Sequence, residues 1–448
     1  MSAQLARVDL MEILDSRGNP TLRVDLALDT GVHAQADVPS GASTGSAEAV
    51  ERRDDEHDRY GGKGVAKLAR QSEQLLNHTL AGQTLNAPED LTELDGRLRT
   101  IDGTDNFGSL GGNVAIGISM AASRALTRQL RVPLWQLLNW LLNTQLDRPI
   151  QATLPIPHFN VINGGAHASN ELDFQEFMIA PLGFESMAER VRAGAEIYHA
   201  LRGLLAENGQ AVGLGDEGGF APDLHSPEQA LGLLVSAITR AGYPVGEDGV
   251  AIALDPAANS FVERTDFRTG STEYRVAGTS YEPDDLIDYY EQLLDRFPIW
   301  SIEDGLAEDD WDSWALMQRR LGDRIQIVGD DIFVTNPQRI QRGIDQSCAN
   351  AVLIKPNQIG TVTQTLEAVA ECYRAGWAAM VSHRSGETAD TFVADLTVGI
   401  GCGQLKSGAP ARGERTVKYN RLIEIAHDSD VADPRPAATR FRPLGGKS

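Results

Sequence analysis

Ala351 to Gly360 reads AVLIKPNQIG, an apolar run that ends in Lys355 and is stopped by Pro356. Such a run, bounded by Pro and Gly, is expected to be a buried parallel strand. A lysine at its end is held rigidly and partly desolvated, which lowers its pKa and favours a neutral amine able to accept a proton. Three more runs, VAIALD, PIWSIED and IQIVGDD, end in carboxylates: Asp255, Glu303 and Asp330. Strand alternation sends Val250, Ile252, Leu254, Trp300, Ile302, Ile325, Ile327, Val352 and Ile354 toward covering helices, and Asp255, Glu303, Asp330 and Lys355 inward. Clustered carboxylates repel unless a cation sits among them, and hard oxygen ligands with room for water suit Mg²⁺. The competing reading is that each acid only caps the helix after its strand.

Other polar strand ends extend the charge plan. His383-Arg384-Ser385 offers a guanidinium suited to bidentate phosphate binding. Lys406 in GQLKSG adds a cation or is a solvated loop lysine. Glu176 and Glu217 are candidates for a carboxyl pair, one raising the other's pKa until it stays protonated. His167 in GGAHASN is either a substrate contact or an exposed loop residue. Ser40 to Gly45, SGASTG, lacks the G-x-x-x-x-G-K-[ST] pattern of a P-loop. It is a linker or, beside a metal site, a lid whose Ser43 donates oxygen to a second ion.

Positioning these groups requires a barrel. From Leu154 on, eight short apolar runs end in polar clusters: LPIPHFNVINGG, QEFMIAP, AVGLGDEGG, VAIALDP, PIWSIEDG, IQIVGDD, AVLIKP and AAMVSHRS. Helical stretches separate them from the third run onward, the pattern of a (β/α)₈ barrel with its chemistry at the C-terminal strand ends. The Gly/Asn-rich segment between the first two runs is too short for a parallel crossover. Those two strands are therefore expected to be antiparallel, bringing Gln175-Glu176, at the start of the second, to the same mouth. Before the barrel, residues 5–38 alternate as an antiparallel meander, followed by helical patterns over 62–82, 88–99, 112–130 and 133–143. The fold class is thus α/β: an N-terminal α+β capping domain (1–145) and a modified (β/α)₈ barrel (146–426), with the Pro- and Arg-rich tail 427–448 expected to be disordered.

The 448 residues carry 40 Lys plus Arg against 63 Asp plus Glu, a net charge of −23. That balance argues against nucleic-acid or membrane-surface binding, so an anionic substrate needs metals or clustered Lys and Arg. Cys348, Cys372 and Cys402 have neither CxxC nor zinc spacing and read as reduced thiols of a cytoplasmic protein. No stretch reaches the apolar length of a membrane span, and the N-terminus is not a signal peptide.

The stretches DSRGNPT, VPSGASTG, E-A-x-E-x-R-D at Glu48–Asp54, NVINGG-x-H, QEFMI, GDEGGF, ALD-x-AA, SIEDGLAEDDW, GDDIFVTN, LIKPNQIGT, SHRSGET and GQLKSGAPARGER carry a resemblance. In that order the chain resembles the bacterial enolase family over nearly its whole length. The resemblance implies Mg²⁺-dependent, reversible dehydration of 2-phosphoglycerate to phosphoenolpyruvate. It matches Asp255, Glu303 and Asp330 to ligands of a first Mg²⁺ and Ser43 to a ligand of a second, substrate-dependent one. It matches Lys355 to the general base, Glu217 to the general acid, and His167, Gln175, Glu176, His383, Arg384, Ser385 and Lys406 to the substrate site. As general acid Glu217 is expected to be protonated near neutral pH, with Glu176 anionic beside it. It further implies a cytoplasmic homodimer or octamer, with any cell-surface pool unreadable from sequence. Departures include Pro256 after Asp255, His158-Phe159 before the asparagine, Gly111-Gly112-Asn113, and the tail; they leave room for a paralogue acting on a phosphonate analogue. A scaffold or surface-binding protein with lost catalysis is the reading from another class, against which stands the presence of every acid, base and ligand position.

Overall fold

The computed structural model describes residues 3–41, 47–168, 170–266 and 271–432. Strands β1 (Leu5–Leu14), β2 (Pro20–Leu28) and β3 (His33–Asp37) form the expected antiparallel sheet, with Leu10 opposite Val24 and Val24 opposite Ala36. Its apolar face is covered by helices α1 (Ala66–Thr79) and α3 (Gly112–Leu130), and α2 (Glu89–Asp102) and α4 (Leu134–Asn143) pack in turn against α3. Gly117 of α3 lets that helix lie against the sheet: a Cβ there would meet Val24 at 2.7 Å and Val38 at 2.9 Å.

The second unit is a closed barrel. It begins with β4 (Ile156–Asn163) and β5 (Glu176–Pro181), followed by α5 (Met187–Glu207), α6 (Pro227–Arg240) and β6 (Val250–Asp255). A small antiparallel sheet of β7 (Val262–Asp266), β8 (Ser271–Val276) and β9 (Thr279–Tyr281) intervenes, then α7 (Pro283–Arg296), β10 (Ile299–Glu303) and α8 (Trp311–Leu321). The chain continues through β11 (Gln326–Gly329), α9 (Pro337–Gln346), β12 (Ala351–Ile354), the short α10 (Pro356–Ile359), α11 (Val362–Arg374) and β13 (Ala378–Ser382). It closes with α12 (Phe392–Gly399), β14 (Gln404–Lys406) and α13 (Gly413–Asp428). Around the barrel the order is β10-β11-β12-β13-β14-β4-β5-β6. β5 runs antiparallel to both neighbours, pairing Asn163 with Glu176 and Glu176 with Asp255. The short β4–β5 link thus delivers Glu176 to the mouth, as its length requires.

Three expectations are corrected. AVGLGDEGG is not a barrel strand: α5 and α6 follow one another, and Leu214 and Phe220 form only an isolated bridge. Its glycines favour turns, and Gly218 takes φ +86°. The eighth strand is instead β14, too short at 3 residues for its pattern to register, which makes Lys406 a buried strand-end lysine rather than a solvated one. Trp300 does not face the helices. The register between β10 and β6 shifts between Ile299 and Ser301, and Trp300 packs inside the barrel with Ile156, Met178, Ala180, Ala251 and Ala253.

His427 and Asp428, placed in the tail from composition, close α13, and Ala432 bridges Thr153; residues beyond 432 lie outside the described ones. No helix among the described residues is long and apolar enough to cross a membrane.

Candidate active site

The barrel mouth gathers Glu48, His167, Gln175, Glu176, Glu217, Asp255, Asp330, Lys355, His383, Arg384, Ser385 and Lys406 around one pocket, with Asp304 and Asp331 beside them. Glu303, 1% exposed, stands behind it against Lys406. Of the residues singled out from sequence, only Ser43 lies outside the described ones; nearby, Ser40 exchanges backbone hydrogen bonds with Gly386 at 2.7 and 2.9 Å.

On one wall, Lys355 at the end of β12 donates to Asp330 Oδ2, while Gln358 donates to Asp330 Oδ1 at 2.9 Å. Burial, Arg384 and Lys406 push the Lys355 amine down, but the charges of Asp330 and Glu303 act the other way and its pKa is raised. The neutral amine expected from burial is therefore not the form favoured while Asp330 is its partner. Arg384 is buried and donates to Glu48 Oε2 and to Asn357 Oδ1, each at 3.0 Å. Glu48 was missed as a site residue; the E-A-x-E-x-R-D pattern was the available signal.

At the centre, Lys406 Nζ lies 2.8 Å from Glu303 Oε1, 3.1 Å from Asp255 Oδ2 and 3.3 Å from Glu176 Oε2. Burial and the Asp255 charge push Glu303 well above the usual carboxylate range.

On the opposite wall, His167 Nδ1 stands 3.7 Å from Glu176 Oε1 and 3.8 Å from Glu217 Oε1. Asn160 donates to Glu217 Oε2 at 3.0 Å, and His383 Nε2 lies 3.3 Å from the same oxygen. Burial and the neighbouring Glu217 charge raise Glu176 well above its ordinary value. Burial would lift Glu217 too, but His383, His167 and Arg415 hold it well below. The pair's proton is thus favoured on Glu176, the reverse of the order that a general-acid Glu217 implies. The reason is His383 and Arg415, which act on Glu217 and not on Glu176, while His167 stands between the two acids. Gly408 permits this approach: a Cβ there would sit 2.6 Å from the Glu217 carbonyl oxygen.

The capping alternative fails for Glu303 and Asp330, because Asp310 and Asn336 accept the backbone amides at the helix starts that follow them. Asp255 Oδ1 does accept the Ala257 amide at 3.0 Å, before the 3-10 turn Ala258–Phe261, while its Oδ2 faces Lys406. The donor set fits a divalent ion: all-oxygen, converging from β6, β10 and β11, with Glu303 Oε2 buried and lacking a hydrogen-bond partner among the described residues. Lys406 bridges Asp255 and Glu303 and Lys355 pairs with Asp330, and a further carboxylate grouping, Asp304, Asp330 and Asp331, brings its oxygens within 4.8 Å of one another. Asp304, a second residue that strand alternation passes over, accepts the amides of Asp330 at 2.8 Å and Asp331 at 2.9 Å.

Comparison with known proteins bears on both units. The chain matches the model of the enolase N-terminal domain over residues 5–138 and that of the enolase C-terminal TIM barrel domain over residues 151–434. It is 50% identical over 432 residues to the enolase of Rubrobacter xylanophilus, 96% of each chain being covered. It is 48% identical over 447 residues to that of Beutenbergia cavernae, covering 99% of this chain and all of that one. A protein named Enolase 2 from Pseudomonas syringae pv. syringae is 48% identical over 429 residues, 96% of each chain.

Proposed function

The chain belongs to the enolase family, and from that premise we propose how its residues divide the reversible dehydration of 2-phosphoglycerate to phosphoenolpyruvate. The observation that carries the proposal is the placement of Lys355 and the Glu176–Glu217 pair on opposite walls of one buried mouth. Lys355 Nζ takes the proton from the carbon next to the substrate carboxylate, and the electron pair passes into that carboxylate to give an enediolate. The hydroxyl on the neighbouring carbon then leaves as water, taking the proton held by the Glu176–Glu217 pair through Glu217. Arg384, Ser385, His383, Gln175, His167 and Lys406 bind and orient the phosphorylated hydroxy acid, the two cations offsetting a net charge of −23.

Asp255, Glu303 and Asp330 would hold one Mg²⁺ and Ser43 would ligate a second. Bound there, magnesium supplies charge stabilisation for the carboxylate as it becomes more negative, a contribution of several kcal/mol. With Asp330 and Glu303 both engaged as ligands, Lys355 would be left facing burial, Arg384 and Lys406, all of which favour the neutral amine. We further infer a capping unit (1–145) over a catalytic barrel (146–426), a homodimeric or octameric assembly, and a cytoplasmic location.

The direct test follows phosphoenolpyruvate absorbance as it forms from 2-phosphoglycerate, with and without Mg²⁺. Turnover that depends on Mg²⁺ and is lost in Lys355→Ala supports the reading; no turnover by the wild-type protein with Mg²⁺ present overturns it.

A further inference from the structure

Arg415, in the first turn of α13, is fully buried yet lies outside the row of residues that line the pocket. Its guanidinium reaches the rear of the acid wall. Nη1 donates to the Arg384 carbonyl at 2.7 Å and also contacts His383 Nδ1. Nη2 donates to the carbonyls of Ser385 at 2.6 Å and Asp216 at 3.2 Å. The residue before Glu217 and the residues on both sides of the His383–Arg384 peptide are thereby tied to one rigid plane.

The contact with His383 has a consequence for its proton. Arginine has five N–H donors, no acceptor, and does not deprotonate in proteins. A nitrogen facing it closely must therefore present a lone pair, so Nδ1 of His383 is unprotonated and the ring proton sits on Nε2. That nitrogen is the one 3.3 Å from Glu217 Oε2. The other charged groups facing this imidazole are Glu217 itself and Glu387, the latter already held by Lys418 at 2.7 Å. Burial and the adjacent guanidinium disfavour a second proton, consistent with a His383 pKa pushed down to about 4.

We propose that Arg415 is a positioning residue that locks His383 in its Nε2–H tautomer and so aims a neutral N–H at Glu217 Oε2. With Asn160 on the same oxygen, Oε2 is committed and Oε1, which faces His167 and Glu176, is the atom that moves the proton. The consequence for catalysis rests on the function proposed above; the tautomer itself does not.

The test is nitrogen-15 NMR of the full-length protein labelled at histidine, with His383 assigned by the signal lost in His383→Gln. At pH 7 the wild-type spectrum should show Nδ1 unprotonated and Nε2 protonated. Arg415→Met should release Nδ1 into a mixture of tautomers, lower kcat about tenfold or more with substrate KM changed less than about threefold, and shift the acidic limb of the kcat/KM profile. Arg415→Lys, which keeps one donor, should recover part of each effect. A wild-type His383 protonated on Nδ1, or on both nitrogens, overturns the proposal, as does an Arg415→Met enzyme with the wild-type tautomer and pH profile. Should Arg415→Met fail to fold, the wild-type spectrum alone decides. An Nε2–H signal in a protein without dehydratase activity would refute the proposed function and leave the positioning intact.

Discussion

The two walls of the pocket are built on opposite electrostatic plans. On the Lys355 side each cation has a carboxylate against it: Lys355 with Asp330, Arg384 with Glu48. On the Glu217 side two carboxyls face each other across His167, with Lys406 3.3 Å from Glu176 Oε2 and Asn160 and His383 against Glu217 Oε2. A compensated wall holds its geometry but binds its proton acceptor to an acid that must be drawn away. A wall on which two carboxyls face each other separates their pKa values and so stores a proton at neutral pH. Dehydration needs both, a base that can be freed and an acid already loaded.

Several perturbations separate the walls. Removal of divalent ions with EDTA should abolish phosphoenolpyruvate formation and added Mg²⁺ should restore it, because Asp330 would otherwise keep Lys355 charged. Activity that survives exhaustive chelation would break the link between the acids and the base. Lys355→Ala, on the compensated wall, should lower kcat by about 10³-fold or more with the fold intact by circular dichroism. Glu217→Gln keeps the shape of the other wall but removes its transferable proton, and should lower kcat about 10²-fold; wild-type turnover would move the acid elsewhere.

A carboxylate outside both walls gives the smallest effect and a control. Asp95 of α2 is buried, and burial raises its pKa to about 6 while the Thr363 and Ser119 hydrogen bonds pull it back. The folded chain then holds this proton more tightly than the unfolded one. Stability from this group therefore falls as pH rises from about 4 to about 6, and the loss persists above that range. Asp95→Asn keeps an oxygen to accept the Ser119 hydroxyl and the Thr363 amide. It should raise stability to urea by about 1–3 kcal/mol at pH 8, with no gain near pH 4 and unchanged kcat. A loss of stability at pH 8 would show that the charge itself is needed where α2 meets α11.

Much of this was legible from strand alternation and strand-end chemistry. Asp255, Glu303, Asp330 and Lys355 arrive where a two-residue period sends them, and the short β4–β5 link predicts the reversed strand. Alternation could not anticipate Trp300, because a register shift is a property of the pair of strands rather than of either one. It could not reveal β14, where three residues are too few to carry a period, nor tell the glycine-rich turn before Glu217 from a strand. The order of the Glu176 and Glu217 pKa values depends on which imidazoles and which guanidinium stand behind each acid. Those neighbours come from β13, α13 and the loop after β4, far apart in the chain, so only the folded arrangement brings them together.

The central claim is that the base and the acid occupy separate walls and act in separate steps. It is tested most directly by incubating 2-phosphoglycerate with enzyme and Mg²⁺ in deuterated water and measuring deuterium entry at the carbon beside the carboxylate. Glu217→Gln should exchange that hydrogen while forming little phosphoenolpyruvate, and Lys355→Ala should do neither. Exchange by Lys355→Ala at the wild-type rate would contradict the account.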